Sequence, residues 1–424
     1  MIDQLIRQVG DQFAKIKDHR ATNSSYYLSD SLKGAFAMFS LKDPSLLIFR
    51  QRFGQRQENL KRIFGLERIP GDTAMRESID GVHPSQIQEV FNLPLSHVRQ
   101  KSFWKGRQVL GGYVAISIDG TQHYCSSKKS CPHCLVKKLR NGQEQYYHQL
   151  LGAVQTHPNH KEVFPIAGEA IVRQDGATKN DCEQNAAKRL VPKVRQMLPE
   201  DKLLFVADAL YSTGPFIQLI QQAEASFLIT IKEGYVLVQA RRLAEQNKLK
   251  QFTWSNGKTR SQVRYANSLI LNGQHQDIHV NYLEYEQTEI KSGKTLYKSS
   301  WITDIPVDED NAKELVAVGR ARWKIENETF NTLKNQGYHM EHNYGHGKKY
   351  LATNFALLML LAFLVDQVTQ AKDKAFQVAW QVCQTKKNLW EKIRQVFDLI
   401  PAVSMNAIYR FIAKEQQIDY PLLE

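Results

Sequence analysis

Two apolar runs that each end in an aspartate constrain this chain more than any other feature. YVAISID spans 113–119 and LLFVAD spans 203–208. An unbroken apolar run of about 4–8 residues reads as a strand covered on both faces, the kind found in sheets with parallel neighbours. A carboxylate at the end of such a strand is expensive to desolvate unless a cation meets it. Taken singly, Asp119 and Asp208 also have a plain structural reading as caps of the loops that follow them.

The flanking patterns extend this into an α/β core. QLLGAVQ at 149–155, VFPIAGEAIV at 163–172 and SFLITIK at 226–232 supply further strands, and 214–224 reads as a helix. Residues 180–198 read as an amphipathic helix. Asn180 and Glu183 resemble a capping box, and Ala186, Ala187, Leu190 and Val194 share one face. Pro192 should kink or split that helix. Strands alternating with helices imply a mixed sheet with helices on its faces. Residues 234–305 differ: they alternate, are rich in β-branched and aromatic residues, and are punctuated by Asn-Gly at 256–257 and 272–273 and Ser-Gly at 292–293. These signals predict a β-rich insertion. Helical spacing returns with Leu315, Val318, Arg322, Ile325, Phe330 and Leu333.

The chain therefore divides into a helical N-terminal region at 1–108, a core at 109–233 and 306–371, the β-rich insertion at 234–305 and a helical C-terminal region at 372–424. In the first region, DTAMRESIDGVHPSQIQEVF reads as two short helices joined at Gly81, either a helix-turn-helix or plain packing. Lys plus Arg number 56 and Asp plus Glu 43 among 424 residues, a net charge of +13. That excess favours a polyanionic partner, nucleic acid first, and makes 1–108 the expected DNA-binding region. The N-terminal MIDQLIRQVGDQFAKIKDHR has no apolar signal region, and Phe355–Val365 is too short to span a bilayer, reading instead as a buried core helix. Five cysteines, two of them in a Cys-x-x-Cys, fit a reducing cytoplasm better than a disulfide framework. No Walker-type or dinucleotide-binding glycine loop is present, so no nucleotide cofactor or membrane is expected.

A third acid completes the chemistry. GRARWKIENETFNTLK carries Glu326 four residues after Arg322, on the same helix face. Three converging carboxylates repel one another and become useful when they hold Mg²⁺ or Mn²⁺, which take hard oxygen ligands. Two such ions about 4 Å apart can activate a water or a 3′-hydroxyl and stabilise the leaving oxygen of a phosphodiester.

SIDGT with Asp119, VADALYS with Asp208 and RARWKIE with Arg322, Trp323 and Glu326 resemble a DDE transposase of bacterial insertion sequences, from the branch marked by a Tyr-Arg-Glu-Lys signature. The resemblance runs from about Tyr113 to Gly347. It implies a ribonuclease-H-like mixed sheet with flanking helices, and 234–305 stands where that branch carries its β-rich insertion before the last catalytic helix. It also implies that Asp119 bridges two metal ions, that Asp208 and Glu326 each hold one, and that Arg322 and Lys334 contact DNA phosphates. The implied protein binds the inverted ends of its element as double-stranded DNA, cuts them and joins the 3′-OH ends to target DNA, working as a homodimer on the nucleoid in the cytoplasm. Relatives use a Trp of the insertion to stabilise a flipped base. Trp254 and Trp301 stand there, with sheet packing the simpler reading, and Trp323 is expected in the core.

The signature is incomplete. Gly319 stands where the branch has Tyr and Leu333 where it has Lys, with Lys334 one residue late. Glu328 is a second acid nearby, about 200° around a helix from Glu326, and the spacing from Arg322 favours Glu326. Two other readings fit such departures: an inactive or repurposed DNA-binding descendant, and a ribonuclease-H-like nuclease without strand transfer.

TQHYCSSKKSCPHCL concentrates His123, Cys125, Cys131, His133 and Cys134, with His148 shortly after. Cys131 and Cys134 form a knuckle suited to tetrahedral Zn²⁺. The expected structural zinc set is Cys131, Cys134, Cys125 and His148, with His123 as an alternative ligand, against a surface loop with a chance thiol pair. His339, His342 and His346 follow the Glu326 helix and read as loop histidines near the acids, and Asp175 and Asp181 are further acids of the 174–181 run.

Overall fold

The structure is a computed structural model that describes residues 1–21, 23–172 and 183–414. Helices α1 (Ile2–Lys15), α2 (Leu28–Ser40), α3 (Leu46–Gln51), α4 (Phe53–Phe64), α5 (Asp72–Asp80), α6 (Pro84–Val90), α7 (Asn92–Val98) and α8 (Lys101–Lys105) precede the sheet. Strands β1 (Tyr113–Ser126), β2 (Leu135–Lys138), β3 (Glu144–Gln155) and β4 (Phe164–Ile171) follow. Then come α9 (Glu183–Met197), β5 (Lys202–Ala207), α10 (Gly214–Gln222), β6 (Ser226–Ile231) and α11 (Tyr235–Glu245). Four strands come next: β7 (Lys250–Ser255), β8 (Thr259–Asn272), β9 (His275–Glu289) and β10 (Thr295–Thr303). The chain continues through α12 (Ala312–Ala321), a π-helical turn (Ile325–Phe330), α13 (Asn331–Asn335), α14 (Leu351–Lys372), α15 (Lys374–Cys383), α16 (Lys386–Leu399) and α17 (Met405–Lys414).

All ten strands form one mixed sheet in the order β2-β3-β1-β5-β6-β10-β9-β8-β7, with β4 also on β3. β1 is antiparallel to β3 and parallel to β5, and β5 is parallel to β6. This is a ribonuclease-H-like α/β arrangement. The β-rich segment continues it, because β10 pairs antiparallel with β6 from Ser300 opposite Ile231 to Thr303 opposite Leu228. That segment opens with a helix, α11, which strand alternation did not predict.

One expectation changes here. Pro192 does not split α9, which runs unbroken through Glu183–Met197. Leu190, Val191 and Val194 around it are fully buried against the sheet, and that packing outweighs the lost backbone donor. Asn180, the proposed cap of α9, lies outside the described residues, as do Asp175 and Asp181.

α14 is long and apolar enough to cross a bilayer by composition, yet 89% of its apolar window is buried inside the protein. It packs on α2, α5, α6 and β4 and so joins the N-terminal helices to the sheet. Its first turn is capped from α5. The Asp80 carboxylate accepts from the backbone N–H groups of Lys348, Lys349 and Tyr350, which lead into α14, and of Leu351, its first residue, whose N–H has no partner within the helix. Asn354 in turn donates to Ile79 O and Val82 O at 2.8 Å. The turn between α5 and α6 is thus engaged with α14.

Candidate active site

Strand register brings the two aspartates level. In the parallel pair of β1 and β5, Ser117 lies opposite Val206. Asp119 and Asp208 each stand two residues further on, at one height and on one face; Asp208 follows the end of β5 as expected, whereas Asp119 lies inside β1, which runs on to Ser126 because β3 continues to pair with it. Each accepts a local backbone bond on one oxygen: Asp119 Oδ1 from Gly120 N and Asp208 Oδ1 from Leu210 N, both at 2.9 Å. The other Asp119 oxygen accepts from Arg322 Nη1 at 2.9 Å. The same guanidinium donates from Nη2 to Glu326 Oε1 at 2.6 Å.

Glu326 arrives on the π-helical turn, which docks on the sheet through Phe330. A Cβ at Gly152 of β3 would stand 3.0 Å from the Phe330 ring, so glycine makes room for the approach. Asp119, Thr121, Asp208, Glu326, Asn331 and Lys334 line one open cleft. Burial pushes the Asp119 carboxyl up to about 7; Arg322 pulls against this, while Glu326 and Glu183 add to it. Glu328 does not line the cleft, and its charge falls instead on Lys324 and Lys386.

A family model described as a transposase DDE domain matches residues 111–364. The chain belongs to the DDE transposase family. No curated protein matches it in sequence. Among solved structures, it is similar to a piggyBac transposase synaptic complex with hairpin DNA, at 10% identity and a TM-score of 0.39, over 99% of this chain and 80% of that one.

Within the DDE domain the two departures from the Tyr-Arg-Glu-Lys signature have structural causes. A Cβ at Gly319 would stand 2.6 Å from the Trp301 indole nitrogen. Trp301, at 1% exposure, fills the space in which a side chain at 319 would sit. Leu333 is wholly buried, whereas Lys334 reaches the cleft and pairs with Glu341 at 3.4 Å. Seven α-helical residues return a side chain to within about 20° of its starting face. A π-turn absorbs one extra residue. Across Ile325–Phe330 it therefore takes eight, and Lys334 rather than Leu333 comes round to the side of Glu326.

Trp323 is not in the core as expected. It is 45% exposed, because Arg322 and Glu326 turn one helix face to the cleft and Lys324 turns the opposite one inward. Trp254 is half-buried in a ring cluster with Phe252 and Tyr285.

The sequence did not single out Lys324, and it offered Glu183 only as part of a helix cap. The buried Lys324 ammonium donates to His157 O, Pro158 O and His160 O at 2.7, 2.9 and 2.7 Å, fastening the helix that carries Glu326 to the loop after β3. Nothing in its spacing sets it apart from a surface lysine. Glu183 at the start of α9 is a fourth acid beside the cleft. It accepts from Gln149 Nε2 at 2.8 Å and from the Tyr211 hydroxyl at 3.3 Å. Burial, with Asp208 nearby, raises its carboxyl above the usual range. Gly120 is needed for this approach, since a Cβ there would meet Glu183 Oε1 at 2.2 Å.

The cysteine and histidine set differs from expectation in one ligand position. Cys131, Cys134, His148 and His346 come together, with their ligand atoms all within 4.8 Å of one another. Cys125 is excluded: it is exposed, and its thiol meets the Gln122 side-chain amide. A bulge between Gln122 and Cys125, with Tyr124 at φ 132°, is where β1 loses its regular alternation. His123 is buried beside His148, ring centroids 5.9 Å apart, but supplies no ligand atom to the group. His346 joins the cysteines rather than the acids, and His339 and His342 do not line the acid cleft.

Proposed function

We propose that this chain is an active transposase that cuts DNA at the ends of its own element and joins the freed 3′-OH to target DNA. The observation that carries this reading is the register of β1 and β5, which sets Asp119 and Asp208 side by side in the cleft that Glu326 closes. The donor set is carboxylate oxygen throughout, which suits hard divalent ions such as Mg²⁺ or Mn²⁺. Arg322 already places a cation between Asp119 and Glu326, so the acids fit a metal. In this reading Asp119, Asp208 and Glu326 would hold the ions. When bound, the ions would activate the attacking water or 3′-hydroxyl and stabilise the leaving oxygen.

The remaining work belongs to the chain's own side chains. With the carboxylates holding metal instead, the two terminal nitrogens of Arg322 would be available to a DNA phosphate. Lys334 stands on the same side of the cleft and offers a second phosphate contact. Lys324 keeps the catalytic helix in place while DNA loads. The excess of basic residues supports a DNA partner, with the helical region 1–108 as reader of the terminal inverted repeats. A homodimer on paired ends, a bacterial insertion sequence as the element, and action in the cytoplasm on the nucleoid complete the proposal.

The test is incubation of purified protein with a plasmid carrying the DNA that flanks its gene, plus a second target plasmid, in Mg²⁺. Cuts at the element ends with joined products are expected. Cuts without joined products would reduce the reading to a nuclease, and specific binding without cuts would mark an inactive descendant.

A further inference from the structure

We propose that Cys131, Cys134, His148 and His346 hold one structural zinc ion that ties the β1–β3 ribbon to the loop leading into α14. The spacing of the four ligand atoms carries the argument. Cys131 Sγ lies 3.4 Å from Cys134 Sγ and 3.4 Å from His148 Nε2. Cys134 Sγ lies 3.5 Å from His148 Nε2 and 3.3 Å from His346 Nδ1, and the two histidine nitrogens are 3.3 Å apart. A tetrahedron built on Zn–S near 2.3 Å and Zn–N near 2.0–2.1 Å has edges of about 3.3–3.8 Å. Ordinary packing of two thiols and two imidazoles gives no reason for five mutual distances in that narrow range. The mixed thiolate and imidazole set also matches zinc and disfavours Mg²⁺ or Ca²⁺, which want oxygen.

The surroundings orient the ligands as a metal site requires. His346 presents Nδ1 to the cluster, and its Nε2 meets the Tyr124 hydroxyl. Cys131 and Cys134 form a tight turn in which Cys134 N donates to Cys131 O at 3.1 Å and Cys131 N donates to Cys134 Sγ at 3.3 Å. Cys134 is buried and His148 nearly so, as expected of a closed, structural centre rather than one with an open position for substrate.

The ligands come from three places in the chain: the turn before β2, strand β3, and the loop after α13. That loop is held a second time two residues further on, where Asp80 takes the N–H groups of Lys348 to Leu351. Zinc and Asp80 together would fix the segment between the Glu326 helix and α14. The ion is separate from the acid cleft, and none of its ligands lines that cleft. The inference therefore stands or falls independently of the transposase reading.

The test uses the full chain, expressed with zinc in the medium and purified without chelator, with metal content measured by mass spectrometry. About one zinc per chain is expected in the wild type and in Cys125→Ser. Competition with a chromogenic chelator should show affinity at least about tenfold weaker in His346→Ala. His346→Cys, which keeps a zinc ligand, should restore binding even if His346→Ala folds poorly. Cobalt-substituted protein should show the absorption of four-coordinate cobalt with thiolate charge transfer. Wild type holding less than about a tenth of an equivalent would overturn the proposal. So would loss of zinc in Cys125→Ser with retention in His346→Ala.

Discussion

The Arg322 guanidinium stands 2.9 Å from the Asp119 carboxylate and spans from it to Glu326, so one cation holds together two acids from distant parts of the chain. Removing it leaves two facing carboxylates, one of them mostly buried. Arg322→Ala should lower the stability of metal-free protein by about 1–3 kcal/mol. Added Mg²⁺ should then raise the melting temperature of Arg322→Ala more than that of the wild type, because the ion replaces the missing charge. Thermal denaturation with and without Mg²⁺ checks this; equal shifts in the two proteins would count against it.

Lys324 satisfies three carbonyls of the 157–160 loop. Lys324→Met keeps the bulk but strands all three acceptors, at a cost on the order of 3 kcal/mol. Denaturant unfolding measures the loss. DNA cleavage should fall further than the folded fraction does, since the helix carrying Glu326 loses its anchor.

Gly319 and Trp301 compete for one space. Gly319→Tyr, which restores the family residue, should destabilise by about 1–3 kcal/mol or more through overpacking. Trp301→Ala should cost about 3–5 kcal/mol through the cavity it leaves. Combined, the two should cost less than their sum, a coupling that a double-mutant cycle reads directly. Strict additivity would show that the indole does not account for the glycine.

His157 is held down from 6.5 to about 4 by burial, with His160, Arg107 and Lys324 adding positive charge around it. Its folded value lies below its unfolded one, so the unfolded chain binds the proton first. Stability linked to His157 is full above pH 6.5 and is lost progressively as pH falls through about 4. Unfolding midpoints across that window should drop more steeply in the wild type than in His157→Gln.

The sheet and its acids were legible because their signals are local. YVAISID and LLFVAD announce buried strands without reference to anything else, and Arg322 to Glu326 is a helix spacing. What was hidden depends on distant parts of the chain meeting. His346 joins Cys134 across more than two hundred residues, and no local pattern prefers it to Cys125, which is nearer in sequence but stands beyond a bulge in β1. Glu183 looks like a helix-start acid until the fold sets it against Gly120. Lys334 seemed one residue late because helix counting assumes α geometry, and the π-turn breaks that count. Trp323 read as core because its hydrophobicity outvoted its position on the helix flank between cleft-facing Arg322 and inward-facing Lys324.

The most direct test of the central claim is cleavage of the gene's flanking DNA in Mg²⁺ by the wild type beside Asp208→Asn. Asparagine keeps an oxygen for the Leu210 N–H and so spares the loop, while removing the charge needed to hold metal. The account predicts cuts at the element ends by the wild type and loss of at least about a thousandfold in rate in the variant, the scale of removing one essential charge-stabilising group. Cleavage by Asp208→Asn at the wild-type rate would contradict it.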